Sequence, residues 1–184
     1  MTGAAVHFPV ATTSDRLLLR AVDEHDLDAV WRLHSDPAAN RFIPAGPMTE
    51  RAQAQERLAA WTDHWAVRGF GYWAVEELTN PGVVIGFGGV RSSRWLDRET
   101  VNLYYRLAPA GWGRGLATEI AVAGTEAWRA TLADRPLIAH TMPDNVASQR
   151  TATAAGLARR PDLDAHDPND PPGTGLHLVF ALGW

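Results

Sequence analysis

A glycine-rich turn at residues 111–115 joins a strand-like segment to a helix-like one. Gly111, Gly113 and Gly115 allow the backbone to curl so that successive N–H groups converge. The first turn of the following helix adds its own unpaired N–H groups and the positive end of the helix dipole. Such a junction can bind a pyrophosphate without a lysine. The alternative is a plain connection between a strand and a helix, because glycine-rich turns alone are common.

Two common nucleotide-binding motifs do not fit this turn. A Walker loop requires Gly-Lys followed by Ser or Thr, whereas the turn continues as Gly113-Arg114-Gly115-Leu116. A dinucleotide-binding turn has Gly-x-Gly-x-x-Gly spacing and an acidic residue about 20 positions later, and the spacing at residues 111–115 differs from it. The pattern therefore indicates the pyrophosphate of a different cofactor.

A second motif lies downstream, where Asn145-x-x-Ser148 is followed by Gly156-Leu157. Residues 112–119 resemble the acetyl-CoA pyrophosphate loop of the GNAT N-acetyltransferases. The downstream motif is similar to the Asn-x-x-Ser and Gly-Phe signature of that superfamily. The two motifs occur in the order that the superfamily has.

The resemblance extends over nearly the whole chain, from about residue 13 to residue 184. Residues 14–20 are similar to the opening of the branch that includes the RimJ and RimL ribosomal-protein acetyltransferases. The resemblance implies an enzyme that transfers an acetyl group directly from acetyl-CoA to a primary amine. It also implies a mixed sheet whose fourth and fifth strands splay apart around the cofactor.

The resemblance implies contacts with acetyl-CoA at the end of the fourth strand, at the glycine turn and at the later Asn-x-x-Ser motif. The pantetheine arm would bind backbone groups that the splayed fourth strand leaves unpaired. The Leu107 amide would polarise the thioester carbonyl and the Ser148 hydroxyl would protonate the departing thiolate, so both are catalytic candidates. The implied cofactor contacts are Arg106, Leu107, Ala108, Trp112, Gly113, Arg114, Gly115, Leu116, Ala117, Thr118, Asn145 and Ser148.

Structural roles are the alternatives for three of these residues. Asn145 can cap a helix as well as contact the pantetheine amide, since its side chain both donates and accepts. Ser148 can bond to that cap residue. Trp112 stands where many family members have Gln or Arg, and it can pack in the core or beside the cofactor.

The general base that many family members use is missing from the sequence. Those members have a glutamate where Asn102 stands, and an amide cannot accept a proton. The remaining candidates are Asp97, Glu99 and His140, acting directly or through water.

The absence of a general base affects which class of amine the site would accept. Neutralising a lysine amine at pH 7 costs roughly 4 to 5 kcal/mol, whereas an α-amine costs only about 1. A site without a dedicated base therefore favours the N-terminus of a protein or peptide, with a small-molecule amine as the alternative. Asn102 also favours a hypothesis of another class, a non-catalytic module that binds acyl-CoA.

Hydrophobic periodicity and breaker residues predict the elements that position these groups. The order is that of an α+β fold with a mixed, mostly antiparallel sheet flanked by helices. A helix begins at Asp23, a second is capped by Thr49, a third spans residues 117–130, and a fourth runs from Asn145 to a left-handed Gly156. The predicted strands are residues 16–21, 71–77, 83–90, 101–107, 137–141 and 176–182.

Composition limits the possible classes of protein. The 184 residues carry a formal net charge of −4 and no cysteine, and the arginines are dispersed, which excludes disulfides and disfavours nucleic-acid binding. We expect a single domain over residues 1–184, a monomer or homodimer, and no metal, because no two histidines have ligand spacing on a helix. No apolar run could span a membrane and the first ten residues do not resemble a secretory signal, which predicts a cytoplasmic protein.

Three segments are predicted to lie outside regular structure. Residues 1–12 are expected to be flexible. The acidic, proline-rich residues 162–174 are expected to form a solvated loop, or an acidic lip that attracts a cationic acceptor. Residues 91–98 are predicted to be a polar connection, in which Trp95 anchors a loop or lines the acceptor cleft or a dimer contact.

Overall fold

The computed structural model describes residues 7–184, which form a sheet in the strand order β1-β2-β3-β4-β5-β6-β8-β7. Neighbouring strands are antiparallel except β5 and β6, which are parallel. This arrangement confirms the predicted α+β class with a mixed, mostly antiparallel sheet flanked by helices. The strands are β1 (Ala11–Thr13), β2 (Leu17–Ala21), β3 (Tyr72–Glu77), β4 (Val84–Trp95), β5 (Arg98–Leu107), β6 (Leu137–Thr141), β7 (Ala158–Arg159) and β8 (Leu178–Leu182), and the helices are α1 (Leu27–Ser35), α2 (Arg51–Arg68), α3 (Leu116–Thr131) and α4 (Val146–Ala154).

Helices cover both faces of the sheet, and the alternation of side chains along β5 separates the two sides. Leu103 and Leu107 are buried in the core that α3 and α4 cover. Tyr104 packs into the other core, beneath α1 and α2. Odd-numbered residues near the end of β5 therefore face α3, and even-numbered residues face α1 and α2.

Strands β5 and β6 separate after a short contact. They pair at only two positions, the last of which joins Asn102 to Ile138. The Val101 N–H points towards β6 and donates to the Pro136 carbonyl at 2.8 Å. Every second residue of a strand directs its polar groups to the same side, so those of residues 103, 105 and 107 face the widening gap. The predicted splay of the fourth and fifth predicted strands, which are β5 and β6, is confirmed.

The segment predicted as a polar connection, residues 91–98, is instead a continuous β-hairpin. Strand β4 extends to Trp95, and the turn consists of Leu96 and Asp97, whose φ angles are +46° and +60°. Two turn residues with positive φ match the right-handed twist of a hairpin. Trp95 is only 4% exposed, and its indole N–H donates to the Leu163 carbonyl at 2.9 Å. It is therefore a core residue rather than part of an acceptor cleft or a dimer contact.

Part of the N-terminal segment packs against the sheet. Phe8 is buried and stacks on Trp73 with a centroid distance of 5.1 Å. The adjoining β1 pairs with β2 along the edge of the sheet. Phe8 and β1 thus contact the fold, whereas His7, Val10 and Ala11 are exposed. Residues 1–6 lie outside the described residues, and the flexibility of residues 1–12 stays a prediction.

The acidic residues 162–174 form a largely exposed loop, in which two carboxylates turn back onto the chain. The Asp164 carboxylate pairs with Arg159, and the Asp170 carboxylate accepts a hydrogen bond from His177 at 2.6 Å. These two carboxylates are only 16% and 15% exposed. The loop therefore uses its charge within the chain, which argues against an acidic lip that attracts a cationic acceptor.

The helix ends follow local chemistry with small shifts. Asp23 caps a short 3-10 turn, so α1 begins only at Leu27. Glu50 rather than Thr49 caps α2. The predicted end of α4 is confirmed, since Gly156 has a φ of +91°.

Candidate active site

The glycine turn leads directly into α3 and leaves N–H groups at its start. Gly113 and Gly115 have φ angles of +70° and +80°, a left-handed conformation that favours glycine. The Thr118 N–H donates to the Gly115 carbonyl at 3.0 Å. Leu116 and Ala117, as the first two residues of α3, have no intrahelical acceptor for their N–H groups. These amides and the helix dipole together make the start of α3 suitable for an anion.

The arginine of this turn is already paired through its side chain. Both terminal nitrogens of Arg114 donate to the Glu77 carboxylate, which lowers the pKa of Glu77. Arg16 pairs with Glu119 in the first turn of α3, through its Nε and one terminal nitrogen. An anion at this turn would therefore be bound by backbone N–H groups, because the side chains of Arg114 and Arg16 are already paired with carboxylates.

The backbone at the end of β5 is divided between the sheet and the gap. The Ala108 N–H donates to the Ile85 carbonyl at 2.9 Å, and the Ala108 carbonyl accepts from Gly111, so the expectation that Ala108 offers free backbone groups is not met. The backbone groups of Leu107 point the opposite way from those of Ala108, so its N–H points into the gap between β5 and β6. Its carbonyl accepts a hydrogen bond from the Trp112 indole at 2.9 Å. Trp112 is 39% exposed, so it covers this strand end instead of packing in the core.

Asn145 and Ser148 lie on the far side of the gap, at the start of α4. The Asn145 side chain accepts the Ser148 N–H at 3.2 Å, which confirms the predicted helix cap. The Ser148 hydroxyl itself contacts the Tyr105 hydroxyl at 3.1 Å, and Tyr105 donates to the Ser148 carbonyl at 2.9 Å. Burial raises the pKa of Tyr105 to about 12, so it stays protonated.

Tyr105 is the residue of this group that sequence reasoning missed. It has the same parity on β5 as Leu107, so its ring points towards α3 and α4. That parity is the only signal in the sequence that could have indicated it, because its partner Ser148 is 43 positions away.

Asn102, which stands where many family members have the base, and the candidate bases Asp97, Glu99 and His140 lie in different environments. The Asn102 amide donates to the Tyr72 hydroxyl at 2.9 Å. Glu99 lies near the hairpin turn at the other end of β5, about 26 Å from Leu107 at the usual rise of a strand, and Asp97 is in the turn itself. Neither carboxylate can reach the end of β5 where the other candidate residues meet.

His140 is closer to the gap but is engaged with neighbouring rings. It stacks on Trp95 with a centroid distance of 4.8 Å, and its Nδ1 lies 3.1 Å from Nδ1 of His177. His177 also contacts Asp170 through its other ring nitrogen, Nε2, at 2.6 Å. Burial, followed by the neighbouring His177, lowers the pKa of His140 to about 4. It is therefore a neutral but weak base at pH 7.

A cavity of about 550 Å³ lies on the opposite side of β5, beneath α1 and α2. His34 forms part of its wall, donating from Nδ1 to the Val30 carbonyl (2.9 Å) and accepting at Nε2 from the Tyr104 hydroxyl (3.1 Å). Arg106 extends into the same space from the residue next to Leu107. The lining residues are His34, Asn40, Ile43, Ala45, Gly46, Pro47, Met48, Gln53, Glu56, Arg57 and Arg106.

Within residues 7–184, no group of three or more histidines or carboxylates is placed to hold a metal ion. In the same range, no helix is long and apolar enough to cross a membrane. The absence of a metal and the cytoplasmic location both stay predictions.

Comparisons with known proteins agree with this geometry. A curated relative, an uncharacterized N-acetyltransferase of Schizosaccharomyces pombe, is 28% identical over 126 residues, which is 60% of this chain. The matched region spans 63% of that relative, or less than two thirds of its length.

Solved structures match over nearly the full chain. An acetyltransferase from Agrobacterium tumefaciens has a TM-score of 0.75 at 22% identity, covering 99% of this chain and 98% of that one. RimL, a ribosomal L7/L12 α-N-protein acetyltransferase in complex with coenzyme A, has a TM-score of 0.68 at 16% identity, covering 95% and 96%. A spermidine N-acetyltransferase from Vibrio cholerae has a TM-score of 0.66 at 15% identity, covering 91% and 94%. Since these similar scores come from different kinds of acetyltransferase, the likeness does not single out the RimJ and RimL branch.

The family is shown by the sequence as well as by the fold. The profile of the acetyltransferase (GNAT) domain matches residues 16–158, which include the glycine turn, the splayed strands and the Asn-x-x-Ser motif. This chain belongs to the GNAT acetyltransferase domain family.

Proposed function

We propose that this protein is an acetyl-CoA-dependent N-acetyltransferase that transfers the acetyl group directly to a primary amine. The observation that carries the proposal is the position of Leu107. Its backbone N–H opens into the gap between β5 and β6, and the neighbouring Arg106 lines a cavity on the other side of the strand. A cofactor in the gap and an amine in the cavity would therefore meet at the end of β5.

The residues present fit coenzyme A. The amides at the start of α3 would hold the pyrophosphate, and no Cβ is present at Gly113 or Gly115 to fill the turn. Backbone groups of residues 103, 105 and 107 would pair with the amide-bearing pantetheine arm. Acetyl-CoA would supply an activated acetyl thioester. The Leu107 N–H would stabilise the negative charge that develops on the thioester oxygen.

As the amine nitrogen bonds to the acetyl carbon and the carbon–sulfur bond breaks, Ser148 would give a proton to the departing sulfur and regain one from solvent, which takes up the proton that the amine loses. Tyr105 would be the positioning residue of Ser148. The Tyr105 hydroxyl contacts both the hydroxyl and the carbonyl of Ser148, which fixes the serine relative to the gap. No carboxylate of β5 reaches the end of the strand where the amine would lose its proton. An α-amine is more often neutral at pH 7 than a lysine amine, so the proposed acceptor is the N-terminus of a protein or peptide.

The remaining parts of the proposal describe the protein as a whole. The chain would be one domain over residues 1–184, monomeric or homodimeric, in the cytoplasm. Membership of the RimJ and RimL branch is supported by the opening at residues 14–20.

The proposal is tested by titrating the protein with coenzyme A in a calorimeter and by following thiol release from acetyl-CoA with a panel of amines. We expect binding, and turnover that is faster with peptide α-amines than with lysine side chains. The variant Gly115→Ala has space for its methyl group but a strained φ, so we expect about tenfold weaker coenzyme A binding. Binding without turnover on any amine would instead favour a non-catalytic module, and no binding would end the proposal.

Replacing Ser148 with alanine should lower kcat by about 100-fold, because general acid catalysis commonly contributes that much. The Kd for coenzyme A should change by less than about twofold if the serine acts on the leaving group alone. Tyr105→Phe keeps the buried ring but removes the hydroxyl, and we expect a smaller loss of kcat in the same direction. Steady-state kinetics with calorimetry check this, and an unchanged kcat in Ser148→Ala would contradict the assigned role.

A further inference from the structure

The cavity beneath α1 and α2 contains two arginines that lack a carboxylate partner within residues 7–184. Arg106 donates to the Asn40 side chain at 2.6 Å and lies over the Tyr104 ring, with 5.4 Å between guanidinium and centroid. Arg57 reaches the same space from α2 and forms no ion pair with a described residue. Glu56 is the one acidic residue of the described lining, and it pairs with neither arginine.

The charged side chains of the two arginines are of like sign. Desolvation lowers the pKa of Arg57, although the residue is solvent-exposed, and the charge of Arg106 lowers it further. Burial lowers the pKa of His34 to about 3, with both arginines acting in the same direction. Two like charges and a neutral histidine thus share one space, and a bound anion would relieve the repulsion between them.

The position of this charge separates it from the cofactor. Arg106 faces α1 and α2, whereas the glycine turn and α3 lie on the opposite side of the sheet. The pyrophosphate expected at α3 therefore leaves the two arginines without an anion. An anionic group on the acceptor would fill this place, because the cavity lies directly beside Leu107.

We infer that Arg57 and Arg106 bind a carboxylate of the acceptor, so that the substrates are amines that carry a negative charge close to the reacting nitrogen. This inference rests on the proposed function. Arginine suits the role because its planar fork can bind a carboxylate through two parallel hydrogen bonds. The volume of about 550 Å³ is in the usual range of small-ligand sites. The carboxylate belongs either to a free amino acid or to an acidic residue at the start of a peptide, and polyamines are poor acceptors.

The test compares matched acceptors that differ only in this charge. One arm uses L-serine and L-serinamide, and the other uses C-terminally amidated tripeptides that begin with Asp or Asn. Rates are expressed per concentration of unprotonated amine, because an amide also changes the pKa of the neighbouring amine. We expect the carboxylate member of one pair to have a kcat/KM at least tenfold higher, and the arm that shows it identifies the source of the carboxylate.

The variant Arg57→Met should reduce that advantage by about tenfold, with the larger loss of kcat/KM for the charged acceptor. Arg68→Met is the matched control, since Arg68 is an exposed arginine of the same helix outside the cavity lining. It should change neither acceptor. Equal kcat/KM values within both pairs, or equal losses for charged and neutral acceptors in Arg57→Met, would overturn the inference.

A binding measurement keeps this result distinct from failure of the proposed function. Two matched pairs are titrated calorimetrically into the protein with and without coenzyme A, in a buffer free of phosphate: N-acetyl-L-serine with N-acetyl-L-serinamide, and the α-amides of N-acetyl-L-aspartate and N-acetyl-L-asparagine. We expect the carboxylate member of one pair to bind at least tenfold more tightly, and Arg57→Met to remove the difference. If no amine is acetylated but this preference is present, the catalytic proposal fails and the anion site stands. If turnover occurs and no Arg57-dependent preference is found, only the anion site fails.

Discussion

Lowering the pH from 6.5 to 4.5 should reduce the free energy of unfolding by about 5 kcal/mol, mainly through His34 and His140. Their folded pKa values are about 3 and about 4, against an ordinary value of 6.5. Between these limits the unfolded chain binds protons that the folded chain does not, so stability falls as the pH falls. Each unit of separation between folded and unfolded pKa is worth about 1.4 kcal/mol.

Few other groups should contribute to the loss of stability between pH 6.5 and 4.5. Burial also lowers the pKa of His64, which acts in the same direction. The paired carboxylates Glu77, Glu119 and Asp164 have lowered pKa values, so their contributions are lost only at lower pH. The histidines therefore dominate the range from pH 6.5 to 4.5.

Urea unfolding followed by tryptophan fluorescence at several pH values measures this slope. His34→Gln removes one titrating group, so the free energy of unfolding should fall less steeply with falling pH, by about 1.4 kcal/mol per pH unit. His25→Gln, which replaces an exposed histidine outside both cores, is the control. An identical slope in wild type and His34→Gln would contradict the assignment.

Local chemistry explains what the sequence predicted well. The glycine turn needed residues that tolerate positive φ, Asn145 had a side chain that can cap a helix, and Gly156 could end one. Each of these signals acts within a few residues, so it is readable without tertiary structure. The α+β order and the splayed strands followed from the same signals and from the family resemblance.

Long-range packing explains what the sequence did not predict. The polar residues around Trp95 suggested a loop, but a hairpin can leave polar side chains exposed while burying one indole. Tyr105 meets Ser148, and Arg57 approaches Arg106, only because separate elements pack together. Neither pair has a signature in the spacing of residues along the chain.

Replacing Arg20 with leucine should lower the free energy of unfolding by about 3 to 5 kcal/mol, because it would leave two buried carboxylates without their cationic partner. Arg20 donates two hydrogen bonds to Asp26, at 2.8 and 3.0 Å, and a third to Glu76 at 2.9 Å. The Asp26 and Glu76 side chains are only 2% and 6% exposed. Glu76 also accepts the Gly82 N–H at 2.6 Å, so the same carboxylate ties β2 to the turn between β3 and β4.

The control for this prediction is Arg51→Leu, which breaks an ion pair with Asp28 whose two side chains are 49% and 78% exposed. Solvent screens such a pair, so its loss should cost less than about 1 kcal/mol. Chemical denaturation of both variants at pH 7 compares the two costs directly. Similar losses in the two variants would show that the triad of Arg20, Asp26 and Glu76 adds little to stability.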